Sequence, residues 1–418
     1  YFSAFAVLLE TSKMAFLSKK NRFLALLRNP KFLLTCWIII CAIASFKQYA
    51  TSNIAEGACK YNNFRIFYSS FGHLLHEKNL YGSYSEYFDL YHYGPIFALL
   101  IAPFYYLPVG ISIVLFGALN AWCLFKAIWS LPIGSHSKAI IIWISTNNLI
   151  TSTLNTQFHA ICVGMIILSY TCIVHRKDIW GTLFIILGAF IKLYGIVGFA
   201  FFFFSKNKKK FVLWTCFWTI LIIALPMLVC KSSYILQSYA DWYTDLVHKN
   251  ATNSDITQTR LDVCFMGMVR KITHIPSLSN LYYIIPAFII MGISFLRFKF
   301  HKQLNFQLAL LGSLLMFIIL ASTGSESPTY IIAFPGVGIW YILERKKNFL
   351  VIFLLILTLV ISSFSPTDLF PRFIRLNYLE PYAMMALPVF LVWLRLNYIM
   401  ITDQLKPIDT PTAPIISS

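Results

Sequence analysis

Residues 62–108 read NNFRIFYSSFGHLLHEKNLYGSYSEYFDLYHYGPIFALLIAPFYYLP. Phe64, Phe67, Tyr68, Phe71, Leu74 and Leu75 recur at i, i+3, i+4, i+7, i+10 and i+11, the spacing of one helix face. Arg65, Ser69, Ser70, His73 and His76 fill the other face, so this helix is expected to lie flat at a membrane–water boundary. The chain then turns polar and aromatic through Asn79, Tyr81, Glu86, Asp89, His92 and Tyr93. Tyr93-Gly94-Pro95 breaks it just before an apolar segment opens at Ile96. A carboxylate, a histidine and several tyrosines therefore gather at the mouth of a hydrophobic bundle.

Composition says what surrounds that mouth. Of 418 residues, 58% are hydrophobic and 12% charged, against about 25% charged in soluble domains, so lipid solvates most of the surface. Apolar runs of about 20 residues recur from end to end, which predicts an all-α polytopic bundle of about 11–13 spans with no separate soluble domain. The net charge of +18 resides in short clusters between those runs, the pattern of cytoplasmic membrane edges beside anionic lipid. No cluster joins a long basic face to stacking aromatics, so nucleic acid is not an expected partner. Most of the nine cysteines lie in apolar runs as small core residues. Cys59 and Cys264 sit in long polar loops, where a disulfide and two free thiols are both open readings. No cysteine or histidine spacing points to a metal.

Met14 opens a natural start, so residues 1–13 are left out of the fold reading. Residues 1–31 then form a cytoplasmic N-terminal segment, 32–399 a single transmembrane domain, and 400–418 a cytoplasmic tail. Loops 48–94 and 230–280 are assigned to the far, periplasmic side of a bacterial inner membrane. A second span is expected from Pro95 to Pro108. The segment from Trp180 to Phe204 poses a conflict, because basic clusters flank it on both sides and each belongs in the cytoplasm. It is too short for two full crossings of about 20 residues, and two half-helices meeting near Gly188, Lys192 and Gly195 resolve the conflict.

Each candidate residue has two readings. Asp89 and His92, three apart among tyrosines, are either helix-anchoring interface residues or an acid–base pair with a tuned carboxylate. Lys192 in an apolar segment costs about 2.5–3.5 kcal/mol to insert, so it is either structurally paired or a phosphate ligand. Asn155, Gln157 and His159 could hydrogen-bond a sugar or satisfy a buried turn. Arg260 is a phosphate clamp or a solvated loop cation. In Gly324-Ser325-Glu326-Ser327-Pro328, proline at a helix start is ordinary, and Glu326 is the unusual residue.

Taken in order, NNFRIFYSSFGHLLHEKNLY, YFDLYHYGPIFALLIAPFYYLP, LNTQFHAICVGMIILSY, LGAFIKLYGIVGFAFFFFSKNKKK and ESPTYIIAFPGVGIWY resemble the polyprenol-phosphate-mannose-dependent mannosyltransferases of glycosyltransferase family 87, in the GT-C class. The resemblance spans residues 62–341. It implies inverting transfer of a hexose, mannose above all, from a polyprenyl-phosphate donor to a lipid- or glycan-linked acceptor among the membrane lipids. It implies no cofactor and no nucleotide sugar. The family typically carries Asp near the start of the first-loop helix, whereas this chain has Asn62-Asn63-Phe64, and an amide cannot accept the proton. The base role then falls to Asp89, with Glu56 and Glu326 as rivals. Asn63, His92, Tyr93, Asn155, Gln157, Lys192, Arg260 and Ser327 are the expected substrate contacts. A transporter or flippase of lipid-linked sugars and an inactive relative are the alternative readings.

Overall fold

A computed structural model describes residues 24–53 and 59–408; Glu56, residues 1–23 and residues 409–418 lie outside the described residues. Within them the fold is helical and no strand forms. Among the described residues, four helices are long and apolar enough to cross a membrane: α1 (Pro30–Ala50), α3 (Val109–Ser130), Lys208–Leu228 and Leu304–Ala321. Local chemistry starts α1 cleanly. Asn29 precedes Pro30, and its side chain accepts the Lys31 and Phe32 N–H groups at 2.9 and 3.2 Å. Between α1 and α3 lies α2 (Asn62–Leu75), the surface helix of the opening stretch.

The bundle continues through α4 (Ser135–Leu154), α5 (His159–Val174) and α6 (Asp178–Ile191). After a 3-10 segment, Leu193–Phe204, come α7 (Lys208–Ala224) and α8 (Ser232–Asn253). Then follow α9 (Phe265–Thr273), α10 (Leu281–Phe295), α11 (Leu304–Ala321) and α12 (Phe334–Leu343). The last are α13 (Phe349–Leu357), extended by a π-helical turn Thr358–Phe364, and α14 (Ala386–Ile401). Leu308, Leu311, Leu315 and Ile319 place α11 at the centre of the core, all fully buried. By contrast α7 turns Val212, Leu213, Phe217 and Ile220 outward, as a lipid-facing helix does.

Basic clusters share one end. Arg297 donates to the Met400 carbonyl at 2.9 Å, Arg345 to the Leu405 carbonyl at 3.0 Å, and Trp143 of α4 to the Leu27 carbonyl at 3.2 Å. The cap formed by α2, residues 77–93 and α8 lies at the other end, beside the last turn of α1.

Three expectations change. Residues 95–108 are not a span. They form two short helices, Pro95–Leu100 and Ala102–Tyr105, tucked beneath α2. Gly72 of α2 packs on Tyr105, and Tyr68 donates to the Leu107 carbonyl at 3.3 Å. α3 then begins beside Tyr49, near the α1 end that the chain had just left. The reason is length and proline: about 14 residues reach only about 21 Å as helix, and Pro103 interrupts them. Second, α2 is covered on more than its apolar face. Phe64, Phe67, Phe71 and Leu74 are buried against the bundle, but Ser70 and His73 are buried too. His73 stacks on Tyr84 with ring centroids 3.8 Å apart and faces Glu86 at 3.3 Å, so the following loop folds over the polar side. Third, much of the loop at 230–280 is helix, chiefly α8 and α9.

The half-helix pair forms as the basic flanks require. α6 ends at Ile191, Lys192 is extended (φ −151°, ψ 123°), and the 3-10 segment returns antiparallel to α6. The reversal depends on Gly195: a Cβ there would sit 2.4 Å from the Gly188 carbonyl carbon. Lys192 thus occupies the tip of a helical hairpin.

Beneath α8, Asp262 and Arg270 form a fully buried ion pair at 2.6 Å. Arg270 also donates to the Leu278 carbonyl at 2.6 Å and to Asn280 at 2.8 Å, so one guanidinium ties residues 262–280 together. Val263 in turn holds the 322–326 loop by donating to the Ser325 carbonyl at 2.8 Å. Arg270→Met, which strands a buried carboxylate, should cost about 3–5 kcal/mol in denaturant titrations in detergent. Adding Asp262→Leu should recover much of it; a single mutant as stable as wild type would show that the pair holds nothing. Cys59 and Cys264 are free thiols, so the disulfide reading is set aside.

Candidate functional site

At the capped end lies a cavity of about 350 Å³. Seven expected residues line it: Asn63, Asp89, His92, Tyr93, Gln157, Lys192 and Glu326. His159, Tyr194, Lys249 and Asn253 complete much of the remaining polar wall.

The first-loop side is fixed by backbone contacts. Asn62 grips the residue before Asp89 from both sides, donating to the Phe88 carbonyl at 2.5 Å and accepting its N–H at 3.0 Å. Asp89 itself has φ 71°, a left-handed conformation that Asp tolerates better than most residues. Tyr81 and Tyr91 spend their hydroxyls on the Tyr93 and Gly94 carbonyls at 3.0 and 2.9 Å. Gly94 lets this loop press against the hairpin: its N–H donates to the Ile191 carbonyl at 3.1 Å, and a Cβ would lie 1.9 Å from the Phe190 oxygen. That contact sets Tyr93 beside Lys192, whose ammonium stands 5.3 Å from the Tyr93 ring and 5.0 Å from that of Tyr194. Lys192 Nζ also lies 3.0 Å from His159 Nε2, which accepts when the imidazole is neutral.

The two carboxylates differ in kind. Asp89 is half exposed and lies 3.4 Å from both His92 Nε2 and Lys249 Nζ. Burial works to raise its proton affinity, but His92, Lys249 and the Leu90 N–H outweigh it and hold the carboxyl well below the usual range. His92 bridges onward to Asp245 of α8 at 2.9 Å. Burial opposes its charge, yet the hydrogen bonds to Asp245 and Asp89 raise the imidazole above its ordinary value. Glu326 goes the other way. Burial lifts its carboxyl above the usual range against the pull of Lys192 and Lys249. Its backbone N–H is satisfied by Thr329 Oγ1 at 2.7 Å, which orients the loop ahead of the Ser327–Ile332 turn.

Not every expected residue is here. Asn155, Arg260 and Ser327 line a second cavity of about 280 Å³. Arg260 is 82% exposed and points toward Glu380 at 3.9 Å, on the wall of the second cavity and not of the one that holds Lys192. Sequence reasoning missed Lys249 and Asp245. The signal was the α8 periodicity: Trp242, Asp245 and Lys249 follow at i, i+3 and i+7, so the face that carries Trp242 toward the His92 carbonyl (3.4 Å) also carries the charges. Asn63 reaches the first cavity but donates to the Asn155 carbonyl at 2.9 Å, a contact that a carboxylate there could not make.

The fold is that of an all-helical polytopic membrane protein, and the cavity under its cap brings together two carboxylates, two histidines and two lysines. The sequence model of glycosyltransferase family 87 matches residues 91–323, more than half of the chain, and the protein belongs to that family as a membrane glycosyltransferase. The match takes in His92, Lys192 and Lys249 and stops three residues before Glu326. No curated protein matches the chain.

Proposed function

We propose that the first cavity is an active site in which a hexose, mannose in the first instance, passes from a polyprenyl phosphate to a hydroxyl of a lipid- or glycan-linked acceptor with inversion. One observation carries the reading: two carboxylates, Asp89 and Glu326, and two lysines, Lys192 and Lys249, line one cavity. A lipid phosphate is already a usable leaving group, so the protein needs chiefly a base and nearby cations. The Glu326 carboxylate takes the acceptor hydroxyl proton as that oxygen bonds to the anomeric carbon. The bond from this carbon to the phosphate oxygen breaks in the same displacement, and its electron pair leaves with the polyprenyl phosphate. Lys192 and Lys249 offset the charge gained there. Glu326 is preferred to Asp89 because burial raises its proton affinity, whereas Asp89 is occupied by His92 and Lys249. Asn63, Tyr93 and Gln157 offer amide and phenol groups to sugar hydroxyls.

The test is direct. Purified protein in detergent, given polyprenyl-phosphate sugars and a glycolipid acceptor fraction, should consume a hexosyl donor and release polyprenyl phosphate. Turnover of nucleotide sugars alone would overturn the donor assignment.

The sidedness is part of the same proposal. The basic end belongs to the cytoplasm and the cavity to the periplasm. In a cysteine-free background, an impermeant thiol reagent should label Ser85→Cys but not Lys208→Cys in intact spheroplasts. The reverse pattern would place the cavity in the cytoplasm.

A further inference from the structure

The second cavity adjoins the first. The Asn155 carbonyl, on its wall, accepts from Asn63 of the first cavity at 2.9 Å, and Ser327 follows Glu326 directly in the chain. Its wall differs in charge. Two guanidiniums, Arg260 and Arg375, meet two carboxylates, Asp368 and Glu380, so the charges cancel. The Thr259 and Ser327 hydroxyls supply further donors and acceptors, while those of Thr151 and Ser365 donate to the Asn147 and Ile361 carbonyls and can still accept.

The charged groups are held unequally. Arg375 is anchored, only 14% exposed, donating to the Thr367 carbonyl at 3.1 Å and standing 3.4 Å from Glu380 Oε1. Among the described residues, the cation beside Glu380 Oε2 is the exposed Arg260, at 3.9 Å. A carboxylate anchored through one oxygen, beside an exposed guanidinium, suits the vicinal hydroxyls of a sugar: the carboxylate accepts from them and the guanidinium donates. A phosphate would meet Glu380 and Asp368 as readily as the arginines.

We infer that the second cavity binds a neutral, polyhydroxylated acceptor head group and presents its hydroxyl to Glu326 across the shared wall. This rests on the transfer proposed above. The full-length protein in detergent is examined by saturation-transfer NMR with α-mannobiose and maltose as probes, at about 10 mM, above a millimolar Kd. Wild type binds at least one of them. Glu380→Gln and Arg260→Ala each weaken that binding about tenfold, the loss of one hydrogen bond to a charged group. Arg260→Ala retains the wild-type melting temperature, since Arg260 is exposed, and Glu380→Gln, which keeps the shape of Glu380 but takes a carboxylate from Arg375, stays folded with at most a modest drop. No binding to wild type, unchanged binding in both variants, or displacement of the sugar by equimolar inorganic phosphate overturns the inference. These readouts need no turnover. Protein that binds the disaccharides through Glu380 and Arg260 but transfers nothing refutes the reaction and leaves this site standing. Protein that transfers a hexose with unchanged acceptor KM in both variants refutes the site and leaves the reaction standing.

Discussion

Glu326→Gln should slow hexose transfer by about 10²–10⁴-fold, the usual worth of a positioned general base. Donor affinity should change far less, because the lost interaction belongs to the transition state. Wild-type turnover should rise with pH through the raised Glu326 value, since the base works only when deprotonated, and this limb should vanish in the variant. Asp89→Asn is the decisive comparison. It weakens contacts at 3.4 Å in a half-exposed site, so the expected loss is about tenfold or less. If Asp89→Asn abolishes transfer while Glu326→Gln leaves it near normal, Asp89 is the base and Glu326 a wall residue. Glu56→Gln is the control outside the described residues and should be near neutral. Asn63→Asp should bring no gain, because the new carboxylate would face the Asn155 carbonyl that now receives the amide N–H.

Lys192→Met should lower kcat by about 10²–10³-fold, comparable to removing one preorganised donor from a developing anion. The side chain keeps its length and apolar stem, so membrane insertion and folding should persist. His159 loses only a partner 3.0 Å away, and the aromatic walls of Tyr93 and Tyr194 still pack on the stem. Lys192→Arg should recover part of the rate by restoring charge. Unchanged turnover in Lys192→Met would make the lysine a structural partner of His159 and leave the phosphate to Lys249.

The sequence exposed the parts of this protein that depend on period and charge. The α2 register, the basic edges and the hairpin around Lys192 could be read because each is local or follows from counting crossings. What the sequence left hidden rests on contacts made at a distance. Residues 95–108 look like a span by composition, although their length and Pro103 already argue against one, and their seat under α2 shows that the chain turns back. Asp89 reads in sequence as a carboxylate among tyrosines, and its lysine partner, Lys249, comes from α8, some 150 residues later. Glu326 looked like one unusual loop residue, and its altered proton affinity arises from burial that no neighbour in sequence announces. Arg260 shows its charge in the sequence but not its direction, toward Glu380.

The hairpin formed by α6 and the 3-10 segment also settles a matter of parity. Two half-length legs return the chain to the side from which it came, so they add an even number of passes to the count. A single straight pass would invert everything downstream, and α8 would emerge beneath the bundle with the basic edges. Lys249 could then never meet Asp89, nor Asp245 meet His92. Two glycines facing each other at the tip thereby decide at which end of the bundle the last half of the chain contributes its charges. Extending that tip into one continuous helix should remove the cavity without altering any residue that lines it.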